Sequence, residues 1–247
     1  MSYAMKPLTF NPAKLTGLSE KLILSHYENN YGGAVKRLNA IGAQLQSSDF
    51  ATAPVFVING LKREELIAAN SMILHEVYFD SLGGAASMPD DRFREALVRD
   101  FGSFERWQAE FIAMGKALGG GSGWVLLTYS LRDGKLLNQW AADHAHTLAG
   151  GIPILALDMY EHSYHIDYGA KAGPMWTPSC RTSTGPMRQT ATSDVWPRNR
   201  RDSRENDHVD KTIHPFGCVP RAVRIHRSGL GRGESGYESH GIPAELR

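Results

Sequence analysis

The first 173 residues of this 247-residue chain contain no cysteine; its only two thiols, Cys180 and Cys218, lie beyond them. A disulfide framework and a thiolate metal site are therefore both excluded from the body of the chain. No apolar run approaches the roughly eighteen residues a spanning helix requires, so no membrane segment is expected. The opening residues, MSYAMKPLTFNPAKL, lack a charged segment followed by an apolar one, and no secretory signal is read there. An excess of one charge is missing too: 27 basic and 26 acidic residues give a net charge of +1, which offers no global case for nucleic acid. What is present is an apolar fraction of 42%, enough for a sizeable core. The expectation is a soluble, cytoplasmic protein.

The near-zero average conceals two kinds of sequence joined near Gly173. Residues 174–247 hold eleven arginines and one lysine against eight acids, a net charge of +4, whereas residues 1–173 carry −3.

Within the body, apolar residues recur at helical spacing from Leu18 to Leu45, with Gly32-Gly33 as a candidate kink, and again from about Lys62 to Leu82. Together these predict a helical hairpin. The Gly-rich stretch 81–91, with Pro89, reads as a linker. Helices over 91–101 and 103–117 follow, the second opening at Ser103. GGGSG (119–123) then breaks the pattern, and strands are expected at 124–131, 136–142 and 152–159, the first two joined through Asp133-Gly134. The segment 160–173 reads as a short helix ending at a glycine. The order implies an α+β fold: an N-terminal helical hairpin domain (1–85), a C-terminal domain of a small three-stranded antiparallel sheet with helices (86–173), and a separate tail (174–247).

Six histidines lie in the body: His26, His75, His144, His146, His162 and His165. The sharpest cluster is Asp158-Met-Tyr-Glu-His162, at the end of an apolar strand. A strand end puts side chains at the rim of a core, and a turn can bring carboxylate and imidazole together. Oxygen and nitrogen donors without sulfur suit Fe, Mn or Zn; surface capping is the plainer reading of the same motif. His26 and His75, each inside an apolar helix, read equally as hydrogen-bonded core residues. GGGSG follows a helix and precedes a strand, the reverse of a phosphate loop, and lacks the Gly-Lys-Ser/Thr ending, so it reads as a turn.

Several longer segments carry a more specific signal. LTGLSEKLILSHYENNYGGAVKRLN, HEVYFDSLGG, FGSFERW, GGGSGWVLL, DGKL and LDMYEHSYHIDYGAKAG occur in one order over residues 8–173, and in that order and spacing they resemble the iron/manganese superoxide dismutase family. The resemblance implies one Fe or Mn ion per subunit, held by three imidazoles and one carboxylate with solvent in a fifth position. Carried over, the ligands are His26, His75, Asp158 and His162. It implies dismutation of superoxide to dioxygen and hydrogen peroxide by one-electron cycling of the metal, and an antioxidant role. It also implies a hydrogen-bond donor to the bound solvent, which tunes its pKa and the metal potential. By spacing from Asp133-Gly134-Lys135 that donor is His144, with His146 as the runner-up. Glu161 occupies the place of a carboxylate that reaches the ligand imidazole of a second subunit, which implies a homodimer with reciprocal Glu161–His162 pairs.

The chain also departs from the family pattern. Ala34 stands where a gateway tyrosine is usual, Asn30 where many members have histidine, His165 where tyrosine is usual, and Tyr160 in place of tryptophan. Asn30 and His165 are read as a substitute hydrogen-bonded pair. These departures leave a metal-binding but catalytically impaired homologue as the alternative.

The largest departure is the tail. Residues 174–185, PMWTPSCRTSTG, match nothing in the family, yet degenerate codons for them, read from the third base, permit Tyr-Val-Asp-Ala-Phe-Met-x-Asn-Ile-Asp-Trp, close to the family's terminal helix. The reading is a frameshift near Gly173 with an out-of-frame, disordered tail, and a body destabilised by loss of a helix whose large side chains are each worth roughly 1.5–3 kcal/mol. Sequencing the coding DNA checks this: the shifted frame either spells that helix or does not. A basic arm for nucleic acid is the lower-ranked alternative.

Overall fold

The structure, a computed structural model, describes residues 2–83 and 91–170. The expectations for the tail, and most of the expected linker, lie outside the described residues.

The first long helical run comes in three pieces: α1 (Glu20–Ser25), a π-helical segment (His26–Tyr31) and α2 (Gly32–Ser47). Ser19 caps α1: its hydroxyl accepts the Leu22 N–H at 3.1 Å and donates to Asp167 Oδ1 at 2.6 Å, while its own N–H reaches Asp167 Oδ2 at 2.7 Å. The irregularity expected at Gly32-Gly33 therefore lies one turn earlier. The Gly32 N–H reaches back five residues to the Tyr27 carbonyl, and the glycines continue as ordinary α-helix. Replacing Ser19 by alanine removes the cap and one bond of the Asp167 tie. The expected cost is about 1–2 kcal/mol in urea denaturation, with no change in the slope against urea.

Helix α3 spans Val55–Asp80, beginning seven residues before the expected start. Its first turn carries Val55 and Phe56, which are 84% and 75% exposed, so the apolar periodicity begins only where α3 meets α2. Helices α4 (Asp91–Phe101) and α5 (Phe104–Leu118) agree with expectation; Ser103 caps α5 by accepting the Arg106 N–H at 3.0 Å.

Among the described residues, strands β1 (Trp124–Ser130), β2 (Lys135–Ala141) and β3 (Gly151–Asp158) form one antiparallel sheet in the order β2-β1-β3. All seven residues of the central strand are buried, because helices cover both of its faces. Trp124 and Leu126 join Leu22, Val35, Leu38, Met72 and Phe79 in one apolar cluster. Val125, Leu127 and Tyr129 join Leu97, Trp107 and Phe111 in another. Gly123 permits the entry into β1: its φ is +133°, and a Cβ there would lie 2.3 Å from the Ala141 carbonyl oxygen. After β3 the chain makes a 3₁₀ turn (Glu161–Ser163) and a short helix, α6 (His165–Tyr168), which stops at Gly169 with φ +58°; the helix expected over 160–173 is thus broken in two and stops earlier, and residues 171–173 lie outside the described ones.

Candidate metal centre

Four side chains from four segments meet between the helical hairpin and the sheet. His26 opens the π-helical segment, His75 lies near the end of α3, Asp158 is the last residue of β3, and His162 sits in the following 3₁₀ turn. One ligand atom from each lies within 4.8 Å of every other. Asp158 Oδ2 is 3.2 Å from His26 Nε2, 3.1 Å from His162 Nε2 and 3.7 Å from His75 Nε2. His26, His75 and Asp158 are buried, and His162 is 28% exposed through its side chain.

The neighbours of these groups fix their orientation. His75 Nδ1 donates to the Ser71 carbonyl at 2.6 Å, which leaves Nε2 as the bare nitrogen facing the cluster. Asp158 Oδ1 accepts the Tyr160 N–H at 2.8 Å, leaving Oδ2 for the three imidazoles. His26 Nε2 and His75 Nε2 are both buried without a hydrogen-bond partner, although Asp158 is close. Orphaned buried nitrogens converging on a carboxylate are what a cation satisfies. The donor set, three nitrogens and one oxygen without sulfur, fits Fe, Mn or Zn.

The electrostatics point the same way. Burial alone would raise the Asp158 carboxyl, but the hydrogen bond from His162 Nε2 and the facing imidazoles outweigh it and hold the group well below the usual carboxylate range. Burial lowers His26, and lowers His75 to about 3, so both imidazoles are neutral and ready to ligate. In the metal-free chain these groups act together. The unfolded state takes up protons on the imidazoles near pH 6.5, whereas the folded state refuses one at His75 until about pH 3. Stability contributed by His75 is thus complete above pH 6.5 and falls on acidification through that window, at roughly 1.4 kcal/mol per pH unit. The depressed His26 and Asp158 act in the same direction. Urea midpoints of metal-free protein measured between pH 7 and pH 4 should fall steadily.

Around the four lies a second set of contacts. His144, on the loop after β2, is 6.1 Å from His75 between ring centroids and stacks on Tyr160 at 5.1 Å; Tyr160 in turn stacks on His162 at 5.3 Å. Trp124 Nε1 donates to His144 Nδ1 at 2.9 Å, and Asn70 Nδ2 donates to the His144 carbonyl at 2.6 Å. His146, by contrast, is 55% exposed through its side chain and pairs with Asp143. Ala34 is buried in the core of the hairpin. Tyr31 stacks on His75 at 6.4 Å; its hydroxyl accepts from the Lys6 N–H at 2.8 Å and donates to Glu76 at 3.1 Å, and burial pushes its phenol up to about 12. Glu161 is exposed and makes no ion pair among the described residues. Asn30 and His165 make no hydrogen bond with each other. The four expected ligands and His144 thus come together, while Asn70, Trp124 and Tyr31 were not singled out from the sequence.

Three imidazoles and one carboxylate, gathered in a buried cluster between a helical hairpin and a three-stranded sheet, define the class of protein with a candidate site for a single metal ion. Residues 89–174 match the family model described as iron/manganese superoxide dismutases, C-terminal domain. A protein named superoxide dismutase [Fe] from Cupriavidus metallidurans is 79% identical over 172 residues, covering 70% of this chain and 87% of that one. Superoxide dismutase [Mn] 2 from Haloferax volcanii is 32% identical over 180 residues, 70% of this chain and 86% of that one. Superoxide dismutase [Fe] from Aquifex aeolicus is 31% identical over 170 residues, 66% and 78% of the two chains. The chain belongs to the iron/manganese superoxide dismutase family. Among the described residues no helix is long and apolar enough to cross a membrane.

Proposed function

We propose that this protein is a superoxide dismutase that converts two superoxide anions and two protons to dioxygen and hydrogen peroxide, with one Fe or Mn ion per subunit. The observation that carries the reading is the convergence of bare His26 Nε2 and His75 Nε2 with His162 Nε2 on Asp158 Oδ2. The bound ion supplies the one-electron exchange that the reaction requires.

The chain's own residues do the rest. His26, His75, Asp158 and His162 hold the ion, and the ionised Asp158 offsets part of its charge inside the core. Because Trp124 donates to His144 Nδ1, the His144 proton resides on Nε2, where it can be given as a hydrogen bond toward the centre. That supports His144, rather than His146, as the donor to bound solvent. The exposed edge of His162, flanked by exposed Glu161 and His165, supports closure by a second subunit and a Glu161–His162 pair across a homodimer. On this reading the chain divides into 1–85, 86–173 and a tail, 174–247, outside the family pattern, with one apolar cluster joining the helical hairpin to the sheet through Trp124 and Leu126. A cytoplasmic, antioxidant role completes the reading, with neither membrane nor nucleic acid as partner.

Ala34, where the family pattern has a phenol, favours the second reading, a metal-binding homologue with feeble turnover. Competition with ferricytochrome c for superoxide separates the two. The dismutase reading expects metal-loaded protein to inhibit cytochrome reduction and to stop doing so after chelation. Full metal loading without inhibition selects the impaired homologue.

A further inference from the structure

Two histidines stand two residues apart on the loop after β2, and a shift of the loop by two residues would exchange them. The loop is tied on opposite sides. The His144 carbonyl accepts from Asn70 Nδ2 at 2.6 Å, whereas the His146 carbonyl accepts from Gln139 Nε2 on β2 at 2.8 Å. Asp143 fixes the turn between them by accepting the Ala145 N–H at 2.7 Å. Asn70 sits on α3, five residues before His75, and the Ser71 carbonyl beside it holds His75 Nδ1. One rigid helix therefore references both a metal ligand and the backbone of His144, which lies 74 residues further along the chain. The Asn70 amide must present its NH₂ to the loop, since its partner is a carbonyl that can only accept.

We propose that Asn70 is a positioning residue for the reaction: it locks the loop in the register that puts His144, not His146, beside the metal ligands, and so aims His144 Nε2–H at the centre. This rests on the reading of His144 as the solvent donor. A side-chain hydrogen bond can set register here because the loop has no ladder of its own. The imidazole of residue 144 is held by Trp124 and by its stack on Tyr160, and the side-chain bond that fixes its backbone carbonyl comes from Asn70. Loss of the Asn70 bond leaves a half-buried carbonyl unpaired and frees the loop to move.

The test uses the full chain loaded with Fe or Mn. Asn70→Ala, the near-isosteric Asn70→Asp, His144→Ala and the double variant Asn70→Ala/His144→Ala are compared with the parent. Metal per chain, the midpoint potential of the metal and kcat are measured for each. Both Asn70 variants should keep the metal, shift the potential in the same direction as His144→Ala, and lose roughly tenfold in kcat. In the double variant, Asn70→Ala should add nothing to His144→Ala, because the group it positions is gone. Parental potential and kcat in the Asn70 variants, with both altered in His144→Ala, would overturn the positioning role and leave the His144 reading standing. Full additivity in the double variant would overturn it as well, by assigning Asn70 a general structural part. If His144→Ala itself behaves as the parent, the donor reading fails and the positioning role with it. Should an Asn70 variant fail to load, hydrogen exchange of the Trp124 indole N–H in metal-free protein decides: faster exchange in Asn70→Asp supports the proposal, and unchanged exchange overturns it.

Discussion

Asp158→Asn abolishes metal retention and superoxide turnover while leaving the metal-free fold in place. Asp158 is completely buried and brings the only negative charge into a cluster of three imidazoles. Asparagine keeps the shape and can still accept the Tyr160 N–H through its carbonyl, so the strand end and the 3₁₀ turn should form. It removes the anionic oxygen that all three Nε2 atoms face. Groups that merely support a ligand cost about 10–100-fold in metal affinity when removed, so loss of the charged ligand itself should cost at least the upper end of that range. Stability gives a second readout. Metal present at about 100 times its dissociation constant adds about 2.7 kcal/mol to a folded state that binds it, and nothing to one that does not. Added Fe or Mn should therefore raise the melting temperature of the parent and leave that of Asp158→Asn where it was. A variant that melts higher with metal would show that the ion is held elsewhere.

His144→Ala retains the metal and loses turnover, whereas His146→Ala changes neither. His144 touches no other member of the cluster through its nitrogens; its Nδ1 is occupied by Trp124, and its ring packs on Tyr160. Burial lowers its imidazole, so it is a neutral donor at neutral pH rather than a cation. Removing a group placed to donate a proton or hydrogen bond typically costs about 100- to 10,000-fold, and the lower end is expected here because solvent can enter the space that alanine leaves. His146 is exposed, and its imidazole meets the half-buried Asp143 and the exposed Trp140 rather than the metal cluster, so its loss should leave kcat within about twofold of the parent. Equal losses in the two variants would contradict the assignment.

Part of this arrangement was legible in the sequence for local reasons. The β1–β2 hairpin follows from Asp133-Gly134, with Gly134 at φ +65° and Asp133 accepting the Ser130 hydroxyl at 2.8 Å. Asp158 and His162 were visible as a motif because they are four residues apart at a strand end. His26 and His75 were visible only as helical histidines with apolar neighbours. A core histidine and a ligand share that pattern and differ in whether Nε2 finds a hydrogen-bond partner, a property of the packed structure. The order and spacing of the longer segments, not any one residue, joined them.

The rest depended on packing that sequence periodicity does not record. A π turn has no compositional signature, so the glycines drew the kink away from His26–Tyr31, where the backbone widens. The first turn of α3 overhangs the hairpin and faces solvent, which hides it from a search for apolar periodicity. Asn70 reaches a carbonyl 74 residues away, and Trp124 reaches an imidazole across the sheet rim. Neither contact has a local signal. Tyr31 has no signal of its own, because the family pattern puts its phenol at position 34, where this chain has alanine.

The full-length protein, tail included, should hold a metal ion on His26, His75, Asp158 and His162. Elemental analysis of the purified full-length protein is the measurement that decides this. About one Fe or Mn per chain, lost in Asp158→Asn, is the expected result. A protein that stays metal-free after reconstitution with either ion would contradict it.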